Sequence, residues 1–172
     1  MRRGWIDMPI KRAMAPIARQ ISNMLARGSV TLANSAGKLQ TLQISLLHDE
    51  SKDAVEHFEP FGFSSSPLPG AEVLAAFIEG DRSHGVVLSA TDRRYRPQTL
   101  QGGEAAVFNA HNMTIILTQN GIVIAGGGKP VSISGAPTVT VTGGDVVADG
   151  ISLKNHKHGG VQFGTAQTGV PV

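Results

Sequence analysis

The hydrophobic pattern of the chain begins with a helical period. In the first 27 residues, apolar side chains step by four and three positions, the spacing of one face of an amphipathic helix. These positions are Ile10, Met14, Ile17, Ile21 and Met24. Proline suits the first turn of a helix and glycine often ends one, so we predict a helix from Pro16 to Arg27, followed by Gly28. Its apolar face fits a contact with its own domain as well as a contact with another helix.

A strand pattern replaces the helical pattern from residue 28 to about residue 100. Four β-rich stretches are bounded by turn formers: "SVTLANS", "LQTLQISLL", "EVLAAFIEG" and "HGVVLSATD". About five short strands without a long helix indicate a small barrel such as an OB-fold. A small β-sandwich is the alternative.

Residues 101–153 alternate apolar and polar positions in very short runs, a period of two that is typical of strands. Turns such as "QNG", "GGGKP", "SGAP" and "TGGD" separate these runs at nearly regular intervals. The alternating apolar positions are Met113, Ile115, Leu117, Ile122, Ile124, Val131, Ile133, Val139, Val141, Val146, Ala148, Ile151 and Leu153.

These short runs carry too little apolar surface to fold as a single copy. No aromatic residue lies between Phe108 and Phe163, and ordering each backbone residue costs about 1–2 kcal/mol. Three identical chains wound around one axis would bury the alternating residues in a shared interior and pair their strand edges. We therefore predict a trimeric, intertwined triple-stranded β-helix, with a single-chain β-solenoid as the alternative.

Composition and charge exclude several protein classes. The chain has 172 residues and no cysteine, so disulfides, zinc fingers and thiol nucleophiles are ruled out. Its formal charge of +2 is too small to indicate a nucleic-acid binder, and no apolar run approaches the length of a membrane span. The arginines and lysines of residues 1–27 resemble a targeting peptide, but we interpret them as part of a basic helix of the folded protein.

The distribution of charge and glycine divides the chain near residue 100. Residues 101–172 hold six charged side chains but 14 of the 21 glycines. We predict four parts: a basic helical segment (1–27), an OB-fold-like collar (28–100), a β-helix shaft (101–153) and a pointed, metal-binding apex (154–172).

Two histidines in the apical stretch "SLKNHKHGGVQFG" are the candidate metal ligands. In an extended segment His156 and His158 point to the same face, with Lys157 on the other. On a three-fold axis each chain would supply two imidazoles, which gives six nitrogen donors. This number disfavours zinc and suits Fe(II) or Ni(II). Six protein ligands leave no open position for substrate, so the role would be structural, and acid should weaken binding.

At these residues the sequence resembles a known family. Two stretches, "PFGFSSSPLPGAEVLAAFIEGDRSHGVVLSATDRRYRP" and "DGISLKNHKHGGVQFGTAQTGVP", resemble the central baseplate spikes of phage Mu and its prophage relatives. Those spikes are similar in architecture to the phage P2 spike, baseplate assembly protein V. The resemblance covers nearly the whole chain, and the ending "GISL..H.HGGV" is its most specific part.

The resemblance implies a homotrimer with an OB-fold collar, a triple-stranded β-helix and an apex that binds one iron ion through His156 and His158 of all three chains. Some relatives also hold calcium and chloride in the shaft, for which Asp145 or Asp149 are candidates here without a motif match. The implied function is mechanical: sheath contraction drives the tail tube and spike through the host outer membrane. The implied partners are the tail tube and baseplate hub proteins. The protein would be assembled in the host cytoplasm and reside at the baseplate tip of the virion.

Two other functions are weighed against this one. An OB-fold could bind nucleic acid or carbohydrate, and Arg93, Arg94 and Arg96 surround Tyr95 in "DRRYRP" as a stacking and phosphate site would. We interpret this cluster instead as a linker or a subunit contact. An enzyme is not expected, because "GGGKP" lacks the spacing of a phosphate loop and Ser64–Ser66 lie in no nucleophile elbow.

Overall fold

The computed structural model describes residues 7–47, 50–158, 160 and 164, without the side chains of residues 7–11 and 13. The chain divides into two units between Lys129 and Pro130. Several residues named above lie outside the described part of the chain. They are Phe163 and the rest of the predicted apex other than residues 154–158, 160 and 164.

Helix α1 spans Asp7–Asn23, so it begins earlier and ends earlier than the predicted helix. Pro16 lies inside it, where proline removes one backbone hydrogen bond at a cost of about 3 kcal/mol. The helix ends at Asn23 because the next residues join the barrel: Leu25 pairs with Ala76 in an antiparallel ladder. Strand pairing therefore overrides the helical period at the end of this segment. Among the described residues, no helix combines the length and apolar character needed to cross a bilayer.

Five strands form a closed barrel in the order β1-β2-β3-β5-β4. Neighbouring strands are antiparallel except β3 and β5, which run parallel. This is a five-stranded Greek-key barrel, the architecture of OB-folds, so the predicted barrel is confirmed and the sandwich alternative is wrong. The strands are β1 (Leu25–Asn34), β2 (Thr41–Leu46), β3 (Ser51–His57), β4 (Glu72–Phe77) and β5 (Gly85–Thr91).

The barrel has a core of its own. Strand β2 alternates half-buried and buried residues along its whole length, the period of two that the sequence predicts. Gly85 is required for close packing, because a Cβ there would lie 2.7 Å from Cε1 of Phe77. The buried apolar side chains are Val30, Leu42, Ile44, Leu46, Val55, Ala71, Val73, Ala75, Phe77 and Val87.

One histidine is part of this core. His57 is 4% exposed, and its Nδ1 lies 2.8 Å from Oε1 of Gln40. The Gln40 amide nitrogen donates to Oγ of Ser35 and to the backbone oxygen of Ser65, so its oxygen must accept the proton from His57. Burial lowers the pKa of His57, while the nearby charge of Glu59 opposes that shift. The ring is therefore neutral in the folded barrel near pH 7.

We expect acid to destabilise the barrel through His57. Because its pKa is lowered on folding, the unfolded chain binds more protons, and stability falls as the pH drops below about 6.5 towards the folded pKa. Amide exchange at Leu42 and Ile44 should accelerate severalfold between pH 7 and pH 5, after correction for intrinsic rates. His57→Gln should flatten this dependence, whereas the exposed-site control His111→Gln should not. Coincident profiles for wild type and His57→Gln would show that His57 does not carry the effect.

A separate three-stranded sheet follows the barrel in the order β6-β7-β8. Its strands are β6 (Ala105–Phe108), β7 (Thr114–Thr118) and β8 (Gly121–Ala125). The register pairs Val107 with Ile115, Ile115 with Ile124, and Leu117 with Ile122, so these side chains share one face of the sheet. We call this set of five residues the hairpin face. All five are exposed, Ile122 to 68%.

The second unit has little regular structure in a single chain. Residues 130–146, all of them described, contain no strand. Strands predicted around Val131, Ile133, Val139 and Val141 are therefore not formed in one copy, where these four side chains remain exposed. A strand needs a hydrogen-bonded neighbour, and the single chain offers none to this stretch. The only pairing described in this unit joins β9 (Val147–Ala148) to β10 (Ile151–Ser152).

Candidate functional site

The apical histidines follow a tight β-hairpin. Ala148 pairs with Ile151, which leaves Asp149 and Gly150 as a two-residue turn. Both turn residues have positive φ, 47° and 83°, as a type I′ hairpin requires, and Asp-Gly is a favoured sequence for it. Strand β10, the second strand of the hairpin, is followed by the segment that contains both histidines.

Asp145 holds the turn between β10 and the histidines. The Ser152 hydroxyl donates to Oδ2 of Asp145, and the backbone nitrogens of Val146 and Lys154 donate to Oδ1 at 2.8 and 3.2 Å. The Asn155 nitrogen donates to the Ser152 hydroxyl at 2.8 Å. The hydrogen bond from Ser152, followed by those from the backbone, lowers the pKa of Asp145. The carboxylate is therefore ionised near neutral pH and fixes the backbone that leads to His156.

One ring nitrogen of His156 is hydrogen-bonded to the backbone. Its Nδ1 lies 2.9 Å from the carbonyl oxygen of Ser152 and 3.1 Å from that of Leu153. Because carbonyl oxygens only accept, we assign the proton of the neutral imidazole to Nδ1, which leaves the lone pair on Nε2. Histidines that bind metals are commonly oriented in this way, with the second nitrogen donating to a carbonyl.

His158 lies next to His156, as the H-x-H spacing predicts. The two ring centroids are 5.1 Å apart and the rings are nearly perpendicular, at 80°. Both side chains are exposed. Within the described residues of one chain, no group of three or more histidines or carboxylates is placed to hold a metal. The described residues of a single chain thus bring two imidazoles together, and a metal held there would need further ligands from elsewhere. The donor chemistry fits a metal site shared between copies.

Two residues of this region were not predicted to hold the histidine segment. Ser152 and Asp145 are seven residues apart in sequence, and the sequence assigned Asp145 only to a candidate calcium site. The spacing Ser152–Asn155 is a recognisable local signal, because a serine hydroxyl often accepts from a backbone nitrogen a few residues later.

The arginines of "DRRYRP" are largely paired within the barrel unit. Arg93 Nε lies 2.6 Å from Glu72, which Arg27 also contacts at 2.7 Å. Arg94 lies 2.6 Å from Asp92, and this hydrogen bond lowers the pKa of Asp92. Two of the three arginines proposed for a phosphate site thus have carboxylate partners already. This pairing weakens the nucleic-acid alternative.

Two family models match this chain, one in the region of the barrel and one in the segment that contains the apical histidines. The family model described as Bacteriophage Mu Gp45, N-terminal, matches residues 27–94, which contain the barrel except for the first two residues of β1. The model described as GpV Apex motif matches residues 150–172, which contain both apical histidines.

Two relatives extend these matches. The baseplate puncturing device gp45 of Escherichia phage Mu is 40% identical over 115 residues, which are 67% of this chain and 58% of that protein. The Mu-like prophage FluMu protein gp45 of Haemophilus influenzae is 30% identical over 172 aligned positions, covering 87% of this chain and 93% of that protein.

A five-stranded barrel, exposed hairpins and an apex motif together define the class of phage baseplate spikes. Within that class, the chain belongs to the gp45 family of phage Mu and Mu-like prophages. The predicted resemblance is confirmed by both family models and both relatives.

Proposed function

We propose that this chain is the membrane-piercing spike of a contractile phage tail, located at the tip of the baseplate. The observation that carries the proposal is the match of the apex motif to residues 150–172 in the same chain as a gp45-type barrel, which is matched over residues 27–94. The phage Mu relative is named a baseplate puncturing device, which supports a mechanical and non-catalytic role. Sheath contraction would drive the tail tube and this spike through the outer membrane of the host.

The spike is proposed to be a homotrimer. The hairpin face exposes five large apolar side chains on one side of a three-stranded sheet, which is costly in water. Burying each of them would contribute about 1.5–3 kcal/mol. Two more copies would supply the missing cover, and they would supply strand neighbours for residues 130–146 as well. The product is the intertwined triple-stranded β-helix that the alternating pattern predicts.

The apex is proposed to hold one iron ion per trimer, through His156 and His158 of all three chains. The Nδ1 contacts of His156 leave its Nε2 available as a donor, and two such imidazoles per chain make six. When bound, the ion would join the three chain ends without an open coordination position for catalysis. Fe²⁺ suits a six-nitrogen set better than zinc does. Calcium and chloride in the shaft stay predictions of the resemblance.

In the virion, the barrel end would contact the tail tube and baseplate hub proteins, and the apex would meet the host outer membrane. The low charge of the shaft fits brief passage through a bilayer, because few charged groups have to be desolvated. Nucleic acid is not proposed as a partner, since Arg93 and Arg94 are paired with carboxylates.

The proposal is tested on the purified protein and on assembled tails. Light scattering should give three times the chain mass of 18.0 kDa. Contractile tails that carry the chain should raise the uptake of a hydrophobic fluorescent dye by host cells on contraction. Tails completed instead with a chain that lacks residues 150–172 should raise it much less. A mass of 18.0 kDa, or equal dye uptake with both kinds of tail, would contradict the proposal.

A further inference from the structure

Helix α1 presents an apolar seam that no described residue of its own chain covers. The described side chains of the seam are Met14, Ile17 and Ile21, exposed to 56%, 52% and 64%, and Met24 continues it just beyond the helix. Three long apolar side chains exposed in one row are costly unless another surface covers them. We therefore expect another protein surface to cover the seam.

The helix contacts its own barrel through the backbone instead of this seam. A Cβ on Gly80 would lie 2.5 Å from the backbone oxygen of Gln20, so the chain approaches the helix closely at that glycine. Gly80 also has a φ of 73°, which favours glycine. Phe77 donates its backbone N–H to the oxygen of Met24 at 2.8 Å. The helix is thus anchored at its C-terminal end while the seam stays free.

The charged side chains described on α1 lie away from the seam. At 100° per residue, Arg12 and Arg19 lie on the side opposite the seam, and Ala18 and Gln20 flank it. Between Arg12 and Asn23, three copies packed through the seam would therefore bring no like charges together, whereas Asp7 is in line with the seam, seven residues before Met14, and Lys11 flanks it. A membrane-surface helix usually has lysine or arginine on its polar face and large aromatic side chains in its apolar face, and this seam has no aromatic residue.

We propose that α1 packs against α1 of two other copies of this chain, as a parallel three-helix bundle. Spacings of three and four place Met14 and Ile21 at the a positions and Ile17 at a d position of a heptad. Isoleucine at both kinds of position favours three or more strands over two. The inference rests on the proposed trimer, which would hold the three helices at a high local concentration. Isolated, a 17-residue helix is only marginally stable.

Disulfide trapping tests the bundle cleanly because the chain has no native cysteine. Ile21→Cys places a thiol in the seam of the full-length protein, and Arg19→Cys places one on the opposite side of the same helix turn. After mild oxidation and denaturing electrophoresis, Ile21→Cys should give a band of about twice the 18.0 kDa chain. Because one disulfide uses two of three helices, at most about two thirds of the chains should be linked. Arg19→Cys should remain largely unlinked.

Light scattering of the same samples distinguishes a failure of the proposed helix bundle from a failure of the proposed trimer. A trimer with linked Ile21→Cys and unlinked Arg19→Cys supports the bundle. A trimer in which Ile21→Cys stays unlinked, or links no better than Arg19→Cys, overturns the bundle and leaves the trimer standing. The seam would then belong to a different tail protein. A single-chain mass overturns the trimer and the bundle together.

Discussion

Replacing Ile124 with aspartate should convert the trimer into single chains. Ile124 pairs with Ile115 on the hairpin face, which we propose to lie in the interior shared by three copies. The substitution would bring three carboxylates into that interior, and the penalty for desolvating an unpaired ion is several kcal/mol each. Since about 1.4 kcal/mol changes an equilibrium tenfold, association should weaken by roughly a thousandfold or more.

The measurement is the mass in solution by light scattering over a range of concentrations. Gln119→Asp is the matched control, because it adds the same charge to the exposed turn of the same hairpin. The control should keep the three-chain mass, whereas Ile124→Asp should give 18.0 kDa at concentrations where wild type is a trimer. An unchanged trimer of Ile124→Asp would show that the hairpin face is not the interface.

Removal of either apical histidine should abolish iron binding. We expect about one iron per three chains in the wild-type protein, and His156→Ala or His158→Ala would remove three of the six donors at once. The remaining three imidazoles would bind the ion far more weakly, so iron should fall to background after dialysis against a chelator. Acid should release the ion from the wild-type protein too, because protons compete for the imidazole nitrogens.

Elemental analysis of protein purified without an affinity tag measures this result. His111→Ala is the control, since His111 is exposed and is not a member of the H-x-H pair. Both apical variants should remain trimers, because the proposed interface on the hairpin face does not include the apical histidines, and this separates loss of the ion from loss of assembly. Iron content unchanged by His156→Ala would contradict the proposed ligand set.

Most strands of the barrel could be predicted from the sequence, because the signals that indicate them lie within each strand or directly beside it. Strand β2 alternates residue by residue, and turn formers bound β1, β4 and β5. Strand β3 was missed, because its charged residues are typical of a solvated loop and its pairing with β2 and β5 decides its conformation. The end of α1 could not be predicted in the same way. Residues 25–27 continue a helical period, but they pair with β4 almost fifty residues later, and that long-range ladder decides their conformation.

The shaft is harder to predict because its strands depend on chains that one sequence does not represent. Residues 114–125 form two of the predicted short strands around the predicted turn "QNG", but these strands pair with each other inside one chain, which was not predicted. Residues 131–141 have the same alternation, but none of the strands described in their own chain pairs with them.

The apical site, too, could be predicted only in part. H-x-H spacing predicts that the two rings lie together, and they do, at 5.1 Å. The sequence did not predict that Asp145 and Ser152 fix the turn before His156, because that contact depends on the fold of the β9–β10 hairpin. Side-chain contacts across a hairpin are not encoded by spacing alone.

The self-sufficient core of the barrel has a consequence for the order in which the protein is made. All ten of its buried apolar side chains come from one polypeptide and precede residue 88. Each nascent chain can therefore complete this domain on or near the ribosome, in a step whose rate does not depend on how many copies are present. In the proposed trimer, association with two other chains would come later and would depend on concentration, so while few copies are present the accumulating species would be a chain with a folded barrel and an unassembled β-helix region.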